Sequence, residues 1–129
     1  MRGVLLLIAV AAVATVAGCG TEGVELSDND PDFEGAQLFA ERCSGCHTLS
    51  AAGTQGTANR SERVQGPDLD LRTETVEDVI YAIRNGGFSG AIMPQNIVVG
   101  DEAEQVARFV AKYSGSEATE PPQPGQSQP

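Results

Sequence analysis

Two cysteines and a histidine fall within five consecutive residues, Cys43-Ser44-Gly45-Cys46-His47, and nothing else in the chain restricts its architecture as tightly. Thiols two residues apart can each add to one vinyl group of a single haem. A histidine directly after the second thiol is then placed under the iron as an axial ligand. Three other chemistries use such a pair. A structural zinc needs about four ligands. With Cys19 consumed by the modification argued below, the chain offers only Cys43, Cys46 and His47 as the usual soft donors. A thioredoxin-type dithiol sits beside a βαβ pattern, which is absent from this sequence. A plain disulfide leaves His47 without a role. One covalent haem c, attached through Cys43 and Cys46, uses all three residues.

The rest of the chain needs such a group. It has 129 residues, 40% hydrophobic and 5% aromatic with no Trp, which excludes a large multidomain enzyme and allows one modest domain. Periodicity places three helices in it. Asp30 is the expected cap of the first, with Pro31 in its opening turn and Phe33, Leu38 and Phe39 on its apolar side before an end near Cys43. The second starts around Thr75, with Asp78 as a weak capping box. Its Val76, Val79, Ile80 and Ile83 share a face, and Asn85-Gly86-Gly87 stops it. The third runs from about Asp101 to Tyr113. Asp101, Glu102 and Glu104 lie at its positive end, and Val106, Phe109, Val110 and Tyr113 along one side. No stretch alternates as a half-buried strand does, so an all-α fold is expected, thin in core unless a haem fills it.

Both ends differ from this unit. Arg2, the apolar run from Val4 and the small residues before Cys19 read as a secretory signal over 1–18. Val4 to Ala17 would span roughly 21 Å as a helix, short of the ~30 Å hydrocarbon layer. Val16-Ala17-Gly18-Cys19 resembles the lipobox of bacterial lipoproteins, which implies that Cys19 is acylated and becomes the first mature residue. An ordinary cleaved signal with an incidental Cys, or an uncleaved anchor, are the alternatives. Residues 19–30 then form an acylated flexible tether, 31–113 the folded domain, and 114–129, with four prolines and no large apolar residue, a disordered tail.

Counting points to the second axial ligand. Once Met1 is lost with the signal, Met93 is the only Met, as His47 is the only His. Met93 sits in Gly90-Ala91-Ile92-Met93-Pro94, a loop between the second and third helices, and Pro94 biases the residue before it away from helix. Met93 is otherwise ordinary core filler. The polar loop Ser50 to Gln65 carries Arg60 and Arg63. These are read either as partners for haem propionates or as solvated surface, Arg63 being the better placed.

These pieces in this order resemble class I cytochrome c: Gly35-Ala36-Gln37-Leu38-Phe39, Cys43-Ser44-Gly45-Cys46-His47, Gly66-Pro67-Asp68-Leu69, Asn85-Gly86 and Met93-Pro94. The resemblance covers residues 33 to 113. It implies a small all-α fold of three to four short helices around one covalently bound haem. It implies also that the first and last helices cross near Gly35, with Phe39 meeting Val106 and Phe109. The Pro67 carbonyl would accept a hydrogen bond from the second ring nitrogen of His47, which fixes the ring and strengthens it as a donor to iron.

Function follows from that site. Iron with His47 and Met93 on its two axial positions has no place for a substrate, which leaves outer-sphere transfer of one electron. The sequence contains no Ser/His/Asp arrangement, phosphate loop or second metal cluster, so an electron-transfer protein is expected rather than an enzyme. Removing Arg2 with the signal makes the net charge 7 − 18 = −11. Such a surface repels nucleic acid and steers toward basic redox partners, or serves solubility alone. The leading reading is a monomeric carrier, lipid-anchored at the outer face of the bacterial cytoplasmic membrane or in the periplasm, moving electrons between respiratory partners. A dedicated subunit of one oxidoreductase, and a haem gas sensor in which Met93 dissociates, are the other two.

Overall fold

The computed structural model describes residues 23–56, 66–88 and 92–118. The signal segment, Cys19, Arg60, Arg63 and the tail beyond 118 lie outside the described residues. Helix α1 spans Phe33–Arg42, α2 Val76–Asn85 and α3 Gly100–Tyr113. Between α1 and α2, strands β1 (Thr48–Leu49) and β2 (Thr54–Gln55) pair antiparallel around a 3-10 turn at Ser50–Ala52. The fold is all-α in its mass, as expected.

The helix boundaries follow their local chemistry, with one shift. At α2, Thr75 Oγ1 accepts from the Asp78 backbone N–H at 3.1 Å and donates to Asp78 Oδ2 at 2.8 Å. Gly86 ends the helix at φ 74°, a left-handed conformation that glycine adopts without steric cost. At α1 the cap position is Asp32 and not Asp30. The Asp30 carboxylate instead accepts from the Asp32 N–H at 2.8 Å, closing a turn that delays the helix by two residues. Asp30 also accepts from the Tyr113 hydroxyl at 3.3 Å, a partner on the last helix.

Helices α1 and α3 pack face to face. A Cβ on Gly35 would lie 2.5 Å from the Gln105 carbonyl oxygen and 2.9 Å from Phe109 Cβ, so only glycine permits this approach. Phe39 and Phe109 meet edge to face, ring centres 5.9 Å apart, in a buried cluster with Ala36, Val106 and Val110. At the rim, Gln105 Nε2 donates to Glu34 at 2.8 Å and Lys112 Nζ to Asp32 at 2.5 Å. Gly35→Ala is expected to destabilise the protein by about 1–3 kcal/mol through overpacking, although alanine gains roughly 1 kcal/mol of helix propensity over glycine. Thermal unfolding of the wild type and variant measures it. An unchanged midpoint would mean that the backbones stand farther apart.

Three segments read as unstructured or polar are part of the fold. Residues 23–30, assigned to the tether, lie along the domain: Val24 and Leu26 pack against the core, and the Glu25 N–H donates to the Ala51 carbonyl at 3.2 Å. The start of the Ser50–Gln65 loop is the β1–β2 hairpin. Two residues per strand are too few for alternation to register in sequence, and the hairpin is closed by the buried Thr54, whose hydroxyl accepts from the Leu49 N–H at 3.0 Å. Residues 114–118, counted with the tail, return to the domain. Gly115 N–H donates to the Leu69 carbonyl and Glu117 N–H to the Asp70 carbonyl, each at 2.8 Å.

Candidate functional site

The attachment motif is a turn built on the end of α1. Cys43 closes the helix with its N–H on the Phe39 carbonyl, and the Cys46 and His47 N–H groups both return to the Cys43 carbonyl at 3.1 and 2.9 Å. The two thiols and the imidazole are thereby carried on one tight loop. Cys43 is buried and Cys46 half-buried, both as free thiols. Burial, and secondarily the neighbouring Cys46, push the Cys43 thiol up to about 12. A reactive, thiolate-forming cysteine has the opposite shift. Among the described residues no three His, Cys, Asp or Glu side chains stand together as a metal-holding group.

His47 is held from two sides. Its Nδ1 lies 3.1 Å from the Pro67 carbonyl oxygen. A carbonyl only accepts, so Nδ1 carries the proton and Nε2 is left with a lone pair to give. Gly66 lies against the ring: a Cβ there would fall 2.6 Å from Nδ1 and 2.7 Å from Nε2, so glycine makes the cradle for the imidazole. Phe39 tilts over the same ring, centres 6.4 Å apart. Burial lowers the proton affinity of His47, with Arg72 in the same direction, against the Pro67 hydrogen bond and Glu74. The net effect favours the neutral imidazole that a metal requires.

Behind the ring, a short ladder joins the two motifs. The Gly66 N–H donates to the Cys46 carbonyl at 2.8 Å and the Leu69 N–H to the Thr48 carbonyl at 2.9 Å, with Thr48 and Asp68 bridged in parallel. Thr54 Oγ1 donates to the carbonyl of His47 itself at 3.1 Å. Sequence reasoning missed Thr54 and Asp70. Both are polar residues, Thr54 after Ala51-Ala52-Gly53 and Asp70 between Leu69 and Leu71, and no local pattern marks them as buried.

Met93 lies in the segment after α2. It is partly buried against the core cluster, and its segment is pinned to the end of α2. The Asn96 N–H donates to the Ile83 carbonyl at 2.7 Å, and Gln95 Nε2 to the Asn85 carbonyl at 3.3 Å. A Cβ on Gly86 would fall 2.7 Å from the Met93 carbonyl, so the glycine that stops α2 also admits the methionine loop. The structure thus brings Cys46, His47, Gly66 and Pro67 together, and places Met93 on a separate, fixed segment. Two free thiols, an imidazole oriented through its outer nitrogen, a glycine cradle and a thioether form a donor set that fits haem c.

Residues 33–114 match the family model described as cytochrome c. Among solved structures, the chain is similar to the c-type cytochrome SorU from Sinorhizobium meliloti, at 34% identity with a TM-score of 0.52. That match covers 65% of this chain and 91% of the other. No curated protein sequence matches at a significant level.

Proposed function

Because the chain belongs to the cytochrome c family, as a monohaem electron-transfer domain and not a catalytic enzyme, we propose that it is a membrane-tethered carrier of single electrons outside the cytoplasm. Cys43 and Cys46 would hold the haem by thioether bonds, and His47 and Met93 would ligate its iron. When bound, the haem would supply reversible one-electron exchange at its iron. His47 is kept neutral and oriented for that role. The Met93 thioether favours ferrous iron and so a higher potential than two nitrogen ligands would set. The observation that carries the reading is the contact between His47 Nδ1 and the Pro67 carbonyl, because it commits one ring nitrogen and leaves the other for iron.

Cys19 is the lipid attachment point. Since residues 23–30 lie on the domain, only Gly20, Thr21 and Glu22 separate the anchor from it. Four residue steps of at most ~3.6 Å hold Gly23 within about 14 Å of Cys19, closer than a free tether to residue 30 would. Among the described residues no helix is long and apolar enough to cross a membrane. Partners are basic-surfaced redox proteins. Exposed Glu34, Glu77, Asp101, Glu102 and Glu104 supply the charge that steers them, and this attraction weakens with salt.

Membrane fractionation of the wild type and Cys19→Ser tests the anchor. The wild type is expected in the membrane fraction with a doubly or triply acylated Cys19 in its intact mass, because single chains bind only marginally. Cys19→Ser is expected to give soluble coloured protein or an unprocessed precursor. An unmodified Cys19, or a mature start elsewhere, would refute it.

A further inference from the structure

The carbonyl that orients His47 belongs to Pro67, an exposed residue in a segment with no regular secondary structure of its own. Its position depends on what holds residues 66–70. One edge of this strap is the ladder to Cys46 and Thr48 described above. Its far end is Asp70, a carboxylate with 4% of its surface exposed. Its two oxygens accept from the Ser50 N–H at 3.0 and 3.1 Å, from the Ser50 hydroxyl at 2.7 Å and from the Ser116 hydroxyl at 3.4 Å.

The other edge of the strap is covered by the chain leaving α3. The Gly115 and Glu117 N–H groups donate to the carbonyls of Leu69 and Asp70, and the Ser114 hydroxyl accepts from the Glu74 N–H at 3.0 Å. Gly115 turns at φ 75°, and a Cβ there would fall 3.2 Å from the Thr73 nitrogen, so the approach is fitted to glycine. Asp70 is the one residue of the strap whose side chain reaches both neighbours, Ser50 three residues after His47 and Ser116 in the C-terminal segment. A buried carboxylate is retained at a cost unless its hydrogen bonds are made. The bonds made here join three parts of the chain 20 and 46 residues apart.

We propose that Asp70 is a positioning residue for the axial histidine: by locking residues 66–70 to Ser50 and to Ser116, it sets the Pro67 carbonyl against His47 Nδ1–H. This rests on the assignment of His47 as iron ligand. A firm Nδ1–H hydrogen bond makes the imidazole a better donor and favours ferric iron. Loosening the strap therefore raises the potential and frees the Nδ1 proton to exchange. A role confined to folding stability would lower the unfolding temperature and move neither.

The test uses the haem-loaded full chain as wild type, Asp70→Ala, Asp70→Asn and Ser116→Ala. Exchange of the His47 Nδ1 proton is followed by NMR in the reduced protein, beside the midpoint potential and the thermal midpoint. Asp70→Ala is expected to speed the exchange at least tenfold and raise the potential. Asp70→Asn, which keeps one acceptor for the Ser50 N–H, is expected to recover part of both. Where Asp70→Ala fails to accumulate, Asp70→Asn and Ser116→Ala carry the same comparison with smaller shifts. Variants that lose thermal stability but keep wild-type exchange and potential overturn the inference alone. A wild type with no proton-bearing axial imidazole overturns the ligand assignment, and the inference with it.

Discussion

Met93→Ala is expected to lower the reduction potential by on the order of 0.1 V or more, a fraction of the ~0.8 V that axial ligands span in haem proteins. Apart from Met1 at the start of the signal-like segment, the sequence contains no second Met and no second His, so nothing equivalent stands near to replace the lost ligand. The thioether stabilises ferrous iron, and its removal takes that preference away. At ~59 mV per tenfold change in a one-electron equilibrium, a fall of ~0.12 V shifts electron delivery about a hundredfold. The weak red thioether band of the ferric protein should disappear, and the reduced variant should bind carbon monoxide while the wild type does not. Met93→His is expected to keep the iron six-coordinate and still lower the potential. A wild type lacking the thioether band, or a Met93→Ala protein with unchanged spectrum and potential, would remove Met93 from the iron. Carbon monoxide binding to the wild type would instead favour the gas sensor.

The second large effect is expected at the attachment. Cys46→Ala should weaken haem retention and lower the accumulated protein severalfold, as losses of one to two kcal/mol commonly do. The reason lies in the size of the core. Among the described residues the fully buried large side chains are few, Phe109, Leu49, Val106 and Val110 among them, and a ligand bound only by the folded state adds its binding free energy to stability. In Cys43→Ala with Cys46→Ala the haem should extract freely into acidified acetone, whereas in the wild type it should stay with the protein. Free extraction from the wild type, or undiminished accumulation of the variants, would contradict thioether attachment.

Much of this was legible in the chain because its causes are local. The face of Val76, Val79, Ile80 and Ile83, the Thr75 cap and the Gly86 stop act within a few residues, and α2 appears where they put it. The Cys43 to His47 pentapeptide carries its chemistry in its own spacing. Gly35 was legible only through the resemblance, since its importance lies in a contact with Gln105 seventy residues away.

Tertiary structure decided the rest, and each case has the same physical cause. Asp30 looked like a helix cap, but its carboxylate closes a turn and accepts from Tyr113, so the helix starts later. Residues 23–30 and 114–118 have too little apolar surface to order themselves, yet dock through backbone bonds to Ala51, Leu69 and Asp70. Asp70 is one acidic residue among eighteen in the sequence, and becomes a buried anchor only when Ser50 and Ser116 are folded around it. Periodicity, caps and a CxxCH motif are properties of neighbouring residues, so the sequence by itself determined the helices and the grouping of two thiols and an imidazole on one turn. A polar group's partner is set by whatever the folded chain brings beside it, so only the tertiary structure decided what holds the Pro67 carbonyl on His47.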